Sequence, residues 1–296
     1  MTAAEETPET LAGAFSGHRA HLVGVAYRLT GSVSDAEDAV QEAWLRLSSG
    51  PAEGVRDLRA WLTTVVGRIC LDRLRSAAVR RERYVGSWLP EPLVTAWADD
   101  PLESVVRDDG VRMAALVVLD RLTPEQRVSV VLHDAFGVPF EEVGAVLGCP
   151  EATARQHASR GRRAAAAAPP PPRVALDEQR EVLERFVAAL ASGDVDAVVS
   201  LLHPDVVVTG DGGGKARTAV HAVAGADKVA RFALGLLRKY GGLGATVPVL
   251  VNGDLGLKVP GDGELSARIN AFALLDGLIV AIYDVANPDK LRHIEF

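Results

Sequence analysis

The spacing of apolar residues divides the chain into a helical half and a mixed half. Leu11 to Leu29 reads as one helix, closed by Thr30-Gly31. Ser34 opens a second helix with Glu37 at capping-box spacing, and Val40, Ala43, Trp44 and Leu47 form its buried stripe. From Trp61, the positions Leu62, Val65, Val66 and Ile69 carry a third helix into the run L-D-R-L-R-S-A-A-V-R-R-E-R. Phe140, Val143 and Leu147 give a short helix with one apolar face. Gly148 follows where a left-handed helix stop favours glycine, and Pro150 suits the start of the next helix. Beyond Pro169–Pro172 the pattern changes. A helix is predicted from Leu176 to Leu190, with Leu183, Phe186, Val187 and Leu190 on one side. A shorter one runs from Val195 to Leu202, ending before His203-Pro204, and a third from Lys228 to Tyr240. Val206 to Val208 is β-branched, and Asn252-Gly253 and Asp276-Gly277 each lie between apolar runs, a strong hairpin signal. Helices followed by antiparallel hairpins predict an α+β domain with a curved sheet wrapped over helices.

Pro139 to Arg163 has the form of a helix-turn-helix. On its second helix Ala154, Ala158, Gly161 and Ala165 share a side small enough for close packing. The opposite side carries Gln156, Ser159, Arg160 and Arg163, flanked by Arg155 and Arg162, and no acid interrupts Ala152 to Arg163. Such a face suits a major groove, where arginine pairs with guanine, glutamine with adenine, and the remaining arginines hold phosphates. A solvated basic helix in an ordinary bundle is the competing explanation.

Charge sharpens this picture. The 296 residues carry a net charge of −7, so no basic coat covers the molecule. Positive charge is local. Arginines 68, 73, 75, 80, 81 and 83 face only Asp72 and Glu82, and Arg155 to Arg163 contains four arginines and no acid. Two separate basic patches point to two DNA contacts, with acidic surfaces left for protein partners. One acidic stripe, Asp35, Asp38 and Glu42 beside Gln41, also fits simple solvation and the helix dipole. The cysteines, Cys70 and Cys149, have no metal-ligand spacing and imply neither a disulfide framework nor zinc. The acidic N-terminus is unlike a signal peptide, and no apolar run approaches the roughly 20 residues that span a bilayer. A cytoplasmic protein without membrane attachment, metal or cofactor is expected.

Two motifs carry a resemblance to a known family. D-A-E-D-A-V-Q-E-A-W-L-R-L (Asp35 to Leu47), followed by A-W-L-T-T-V-V-G-R-I-C-L-D-R-L-R (Ala60 to Arg75), resembles region 2 of bacterial extracytoplasmic-function sigma factors. The helix-turn-helix around Pro150 resembles their region 4, and L-T-P-E-Q-R (Leu122 to Arg127) its lead-in. The resemblance implies that Asp38, Gln41 and Glu42 dock on the β′ clamp helices of core RNA polymerase, and that region 4 meets the β flap. It implies that Arg68, Arg73, Arg75, Arg80 and Arg81 contact and open the minus-ten element, and that Arg155, Gln156, Ser159, Arg160, Arg162 and Arg163 read the minus-thirty-five element. Opening DNA means holding unstacked bases, so region 2 should offer a pocket as well as charge. One departure is Gly67-Arg68, where many family members have R-N; the detailed minus-ten preference does not carry over.

The connecting stretch Y-V-G-S-W-L-P-E-P-L-V (Tyr84 to Val94) is stiffened by two prolines and carries large apolar residues, which suggest docking. Within it W-L-P-E-P (Trp88, Leu89, Pro90, Glu91, Pro92) is similar to the signature of a sigma-factor subgroup with an extra C-terminal domain. D-G-G-G-K (Asp211, Gly212, Gly213, Gly214, Lys215) and N-P-D-K-L (Asn287, Pro288, Asp289, Lys290, Leu291) accompany that signature in the subgroup. These three motifs are expected to meet, and the extra domain to regulate the sigma core in cis. D-G-G-G-K lacks the spacing of a P-loop, and a flexible hairpin tip is the plain alternative.

The C-terminal part itself resembles a SnoaL-like domain, the cone-shaped fold of polyketide cyclases and related isomerases. Its ionisable residues (His203, Asp205, Asp211, Tyr283, Asp284, His293) form no local catalytic motif, and fold analogy supplies no activity. The expected organisation is region 2 over 1–83, a linker over 84–111, region 4 over 112–168, a proline linker over 169–176 and a SnoaL-like barrel over 177–296. The leading expectation is a non-enzymatic sigma factor directing promoter-specific transcription. A stand-alone DNA-binding regulator and a DNA-tethered SnoaL-like enzyme are the alternatives, and a small-molecule ligand of the last domain stays open.

Overall fold

The computed structural model describes residues 8–49, 57–81, 84–95, 111–240, 246–262 and 264–296. These fall into two compact units, one formed by 1–79 and 118–169, the other by 80–117 and 170–296.

The first unit is helical. Helix α1 (Pro8–Thr30) ends where Gly31 adopts φ 66°, as Thr30-Gly31 predicts. Helix α2 (Val33–Ser49) is capped by Ser32, whose Oγ accepts the Asp35 N–H at 3.1 Å, so the cap falls two residues before the expected Ser34. Glu37 instead faces Arg19 at 3.9 Å. Helix α3 (Leu58–Arg81) completes the first bundle, with Leu62, Val66, Ile69 and Cys70 buried alongside Leu22, Val25, Val40 and Ala43. Helix α4 (Met113–Asp120), whose residues up to 117 belong to the second unit, leads to α5 (Pro124–Val130), whose start is a full capping box between Thr123 and Gln126. Arg127 is 1% exposed. It donates to the Arg28 carbonyl at 3.2 and 3.3 Å and to Asp120 at 3.1 Å, tying α5 to the end of α1. A π-helical turn (Val131–Ala135) precedes α6 (Phe140–Leu147) and α7 (Glu151–Ala166). Between them Gly148 takes φ 69°, as its position predicts. A Cβ on Gly161 would lie 2.7 Å from Val130, so α7 crosses α5 at a distance only glycine allows.

In the second unit, one mixed sheet has the order β1-β4-β5-β6-β7-β2-β3. The strands are β1 (Val94–Thr95), β2 (Leu202–Asp211), β3 (Val223–Ala224), β4 (Val247–Val251), β5 (Asp254–Val259), β6 (Arg268–Leu275) and β7 (Leu278–Val285). The two predicted hairpins join β4 to β5 and β6 to β7. Asn252 and Gly253 adopt φ 55° and 82°, and Asp276 and Gly277 φ 52° and 74°, the signs a tight two-residue turn requires. Two features depart from the sequence reading. Strand β2 pairs with β7 in parallel, because it enters from the helical end of the domain rather than through a hairpin. Helix α9 (Val195–Val199) stops short of Leu202, which already belongs to β2. Strand alternation gives the sheet two apolar faces. Phe272 and Leu274 pack with α8 (Leu176–Ser192) and α10 (Ala226–Tyr240), while Ile269, Ala271 and Ala273 pack with Leu89, Met113 and Leu291. The second face is thus covered by linker residues and the C-terminal segment.

Candidate nucleic-acid interface and linker clasp

Helix α7 presents the face its sequence predicts. Ala154, Ala158 and Gly161 are buried, whereas Arg155, Gln156, Ser159, Arg160, Arg162 and Arg163 are exposed. Two of the arginines have protein partners. Arg155 pairs with Glu151 and lies 5.5 Å from the centre of the Phe140 ring, and Arg162 grips Asp134 through both oxygens at 2.8 and 2.5 Å. These pairs orient the edge of the face. Arg160 and Arg163 form no ion pair among the described residues.

Asp38 and Gln41 are exposed on α2 and Glu42 is half-buried. The arginines of α3 are more engaged than the charge pattern suggests. Arg73 is held on α2 by Asp35 at 2.8 Å and Asp38 at 3.5 Å. Arg68 donates to the Ala145 carbonyl at 3.0 Å, and Arg75 to Glu125 at 3.1 Å. The side chains of Arg80 and Arg81 lie outside the described residues.

The second unit holds a polar cluster built on Asp211, the last residue of β2 and 0% exposed. One carboxylate oxygen accepts the Tyr84 hydroxyl at 2.5 Å; the other accepts the Leu89 N–H at 2.8 Å and the Lys290 ammonium at 2.7 Å. Lys290 also donates to the Leu89 carbonyl and sits 3.9 Å from the centre of the Trp88 ring. The Asn287 amide donates to the Tyr84 oxygen at 2.8 Å. Burial, followed by the Asp211 carboxylate, pushes the Tyr84 phenol up, so it stays a donor. The Asp211 carbonyl accepts the N–H groups of Ala286 and Asn287 at 2.8 and 2.9 Å.

The three motifs expected to meet therefore do so within this unit, and each contributes a different group. W-L-P-E-P supplies backbone and an aromatic face, and D-G-G-G-K supplies the carboxylate. N-P-D-K-L supplies the ammonium. Gly213 has φ 58°, and a Cβ there would fall 2.3 Å from the Asn287 amide nitrogen. Lys215 closes the turn by pairing with Asp289. Leu89, Pro90, Glu91 and Pro92 are all buried. Further along, Leu93 N–H donates to Asn252 Oδ1 at 3.1 Å, and Val94 and Thr95 pair with β4. His293 contacts the Pro92 carbonyl at 2.9 Å. The linker runs as a strap across the sheet.

Tyr84 and Asn252 belong to this clasp although no sequence signal marked them for it. Of the ionisable residues considered for catalysis, Asp211 is consumed by the clasp. Asp284 accepts from Arg268, Thr218 and Asn270 at 3.0, 2.6 and 3.1 Å.

Family models match in the same order as these elements: Sigma-70 region 2 over residues 14–80, Sigma-70 region 4 over 112–164, and a SnoaL-like domain over 183–257. The chain is 56% identical over 286 residues to the ECF RNA polymerase sigma factor SigJ of Mycobacterium tuberculosis, covering 93% of this chain and 91% of that protein. The chain belongs to the extracytoplasmic-function RNA polymerase sigma factors. Members of this family bind core RNA polymerase and promoter DNA, and this sigma factor directs transcription initiation and is not an enzyme. The crystal structure of the Mycobacterium tuberculosis sigma factor SigJ superposes with a TM-score of 0.80 at 53% identity, covering 95% of this chain and 98% of that one. The probable sigma factor SigI of the same organism is 38% identical over 229 residues, 75% of each chain. No described helix is long and apolar enough to cross a membrane.

Proposed function

We propose that this sigma factor is controlled by its own C-terminal domain, which holds the region 2–region 4 linker through the Asp211 clasp. The carrying observation is the buried Asp211 carboxylate, which binds linker backbone, linker tyrosine and a C-terminal lysine at once. Promoter recognition needs regions 2 and 4 at a polymerase-defined separation, and the chain between them sets their reach. A strap fixed from Tyr84 to Thr95 removes that length from the tether.

In this reading, Asp38, Gln41 and Glu42 meet the β′ clamp helices, and region 4 meets the β flap. The outer face of α7 reads the minus-thirty-five element, with Gln156, Ser159, Arg160 and Arg163 at its centre. Arg68 and Arg75 must leave Ala145 and Glu125 to reach minus-ten phosphates, so promoter contact competes with contacts inside the helical unit. Arg73 acts first on α2, fixing Asp35 beside the polymerase-binding face and Asp38 within it.

Reconstituted transcription with core polymerase over a promoter library tests the proposal. The full chain, the Trp88→Ala variant and a chain lacking Ala175 to Phe296 should differ in output while sharing a sequence preference. Equal output from all of them, with an unchanged linker contact, would sink the clasp as a regulator.

A further inference from the structure

An irregular element precedes the helix-turn-helix. Helix α5 runs without a break into the π-helical turn Val131–Ala135. Such turns are uncommon, and where they occur inside a helix they are frequent at functional sites. One residue is about 100° of helical rotation, so an inserted residue changes which way His133 and Asp134 point. Both reach the same edge of α7. Asp134 takes Arg162 through Nε and one terminal nitrogen, at 2.8 and 2.5 Å. His133 stacks on Phe140 with ring centres 3.8 Å apart, and the Arg155 guanidinium lies 5.5 Å from the centre of that Phe140 ring. The His133 ring is itself fixed, its Nδ1 lying 2.9 Å from the Val138 carbonyl. Arg155 and Arg162 stand two turns apart on one flank of α7, about 10 Å along its axis.

No acid interrupts Ala152 to Arg163, so the counter-charge on this flank comes from outside that stretch, from Glu151 and Asp134. The grip changes what Arg162 can do. Its charge is balanced by Asp134, and its side chain has given up rotamer freedom before DNA arrives. The two bonds to Asp134 use two of its five N–H groups, leaving three. A loose arginine follows any phosphate and gains by releasing counter-ions, whatever the sequence. A held arginine contributes only where a phosphate falls in front of its remaining donors. Such a contact fixes the register of a recognition helix in its groove.

We propose that the π turn is the aiming element of region 4. Asp134 and His133 are positioning residues that hold one flank of α7, Asp134 directly and His133 through Phe140. Gln156, Ser159, Arg160 and Arg163 then meet the bases in a single register. Asp134 lowers affinity for DNA in general and raises discrimination among promoters, because it trades a mobile charge for a directed contact. This inference rests on the reading of the minus-thirty-five element by α7 and is independent of the linker clasp.

The test measures binding of the full-length chain to two duplexes by fluorescence anisotropy, from about 50 to 200 mM salt. One duplex carries the minus-thirty-five sequence selected from the promoter library, and the other has that sequence scrambled. Asp134 is exposed, so Asp134→Asn should fold, and its melting temperature checks this. Asp134→Asn should tighten binding to the scrambled duplex by about two- to threefold at low salt. It should steepen the dependence of log affinity on log salt by about one. The preference for the selected duplex should fall by about three- to tenfold. Asp134→Glu, which keeps the carboxylate, should retain the slope of the parent chain. Combining Asp134→Asn with Arg162→Gln should restore that slope while the preference stays low. Phe140→Leu removes the ring beside Arg155 without changing charge, and should lower the preference at constant slope. Weaker binding to both duplexes at constant slope would make Asp134 merely structural. That result, or a preference that survives Asp134→Asn, overturns the proposal. Arg160→Ala separates the two readings. If it leaves the preference unchanged, α7 does not read this element and the inference falls with that reading. If it lowers the preference while Asp134→Asn does not, the aiming role alone is lost.

Discussion

Asp211→Asn isolates what the buried carboxylate does. The substitution keeps the shape of the side chain and removes its charge, taking away the carboxylate that Lys290, its side chain 8% exposed, meets at 2.7 Å. Removing one partner of a buried pair costs about 3–5 kcal/mol. The lower end applies, because Lys290 keeps the Leu89 carbonyl and the face of Trp88. The Leu89 N–H can still find the asparagine oxygen, and Tyr84 then loses its acceptor. About 3 kcal/mol corresponds to roughly a hundredfold more frequent opening of the strap, since each tenfold is about 1.4 kcal/mol. Hydrogen exchange by mass spectrometry reads this directly, with the Tyr84–Thr95 peptide as reporter and the β6–β7 peptides as reference. The reporter should lose protection by two decades while the reference changes much less. Adding Lys290→Met should recover part of the loss, because the ammonium that faced Asp211 is then removed as well. Equal loss in strap and sheet would mean that Asp211 serves only general folding, and an unchanged strap would mean that it serves neither.

Other outcomes follow from separate parts of the molecule. Arg160→Ala should weaken promoter recognition by about 1–3 kcal/mol at one position of the minus-thirty-five element, measured by transcription over single-base promoter variants; a uniform loss at all positions would reassign it to phosphate. Glu125→Gln releases Arg75 from an exposed pair and should raise DNA affinity only two- to threefold at low salt, about 0.5 kcal/mol, as followed by fluorescence anisotropy. Burial, followed by Arg59, lowers the His21 imidazole from 6.5 to about 4. The unfolded chain therefore takes up the proton first as pH falls, and this contribution to stability is complete above about pH 6.5 and declines toward pH 4. His21→Gln should flatten the melting temperature across that window, and an unchanged slope would remove His21 from the account. Burial pushes the Cys70 thiol up to about 12, so thiol reagents at neutral pH should leave it unmodified until the chain unfolds.

Local chemistry carried far in this chain. Helical spacing located α1 to α3, α6, α7 and α8. Gly148 and Pro150 set the stop and start of their helices, and the Asn-Gly and Asp-Gly pairs set both hairpins. These features depend on residues within a few positions of each other, so the one-dimensional pattern contains the physics. The outward face of α7 was legible for the same reason, because alanines and a glycine at helical spacing leave only one side to bury. The fates of charges were not legible. Six arginines between Arg68 and Arg83 read as one DNA patch. Folding brings Arg73 to Asp35, Arg75 to Glu125 and Arg68 to the Ala145 carbonyl, partners 38, 50 and 77 positions away. The clasp makes the same point over a longer span: Leu89 reaches Asp211 across 122 positions and Lys290 reaches Leu89 across 201. A charge in sequence has only a sign. Its partner, and whether water stands between them, is decided by which surfaces the sheet and helices bury together. Periodicity therefore determined the elements and their exposed faces, whereas the tertiary structure alone decided which arginines are paired within the helical unit and which ionic groups hold the linker.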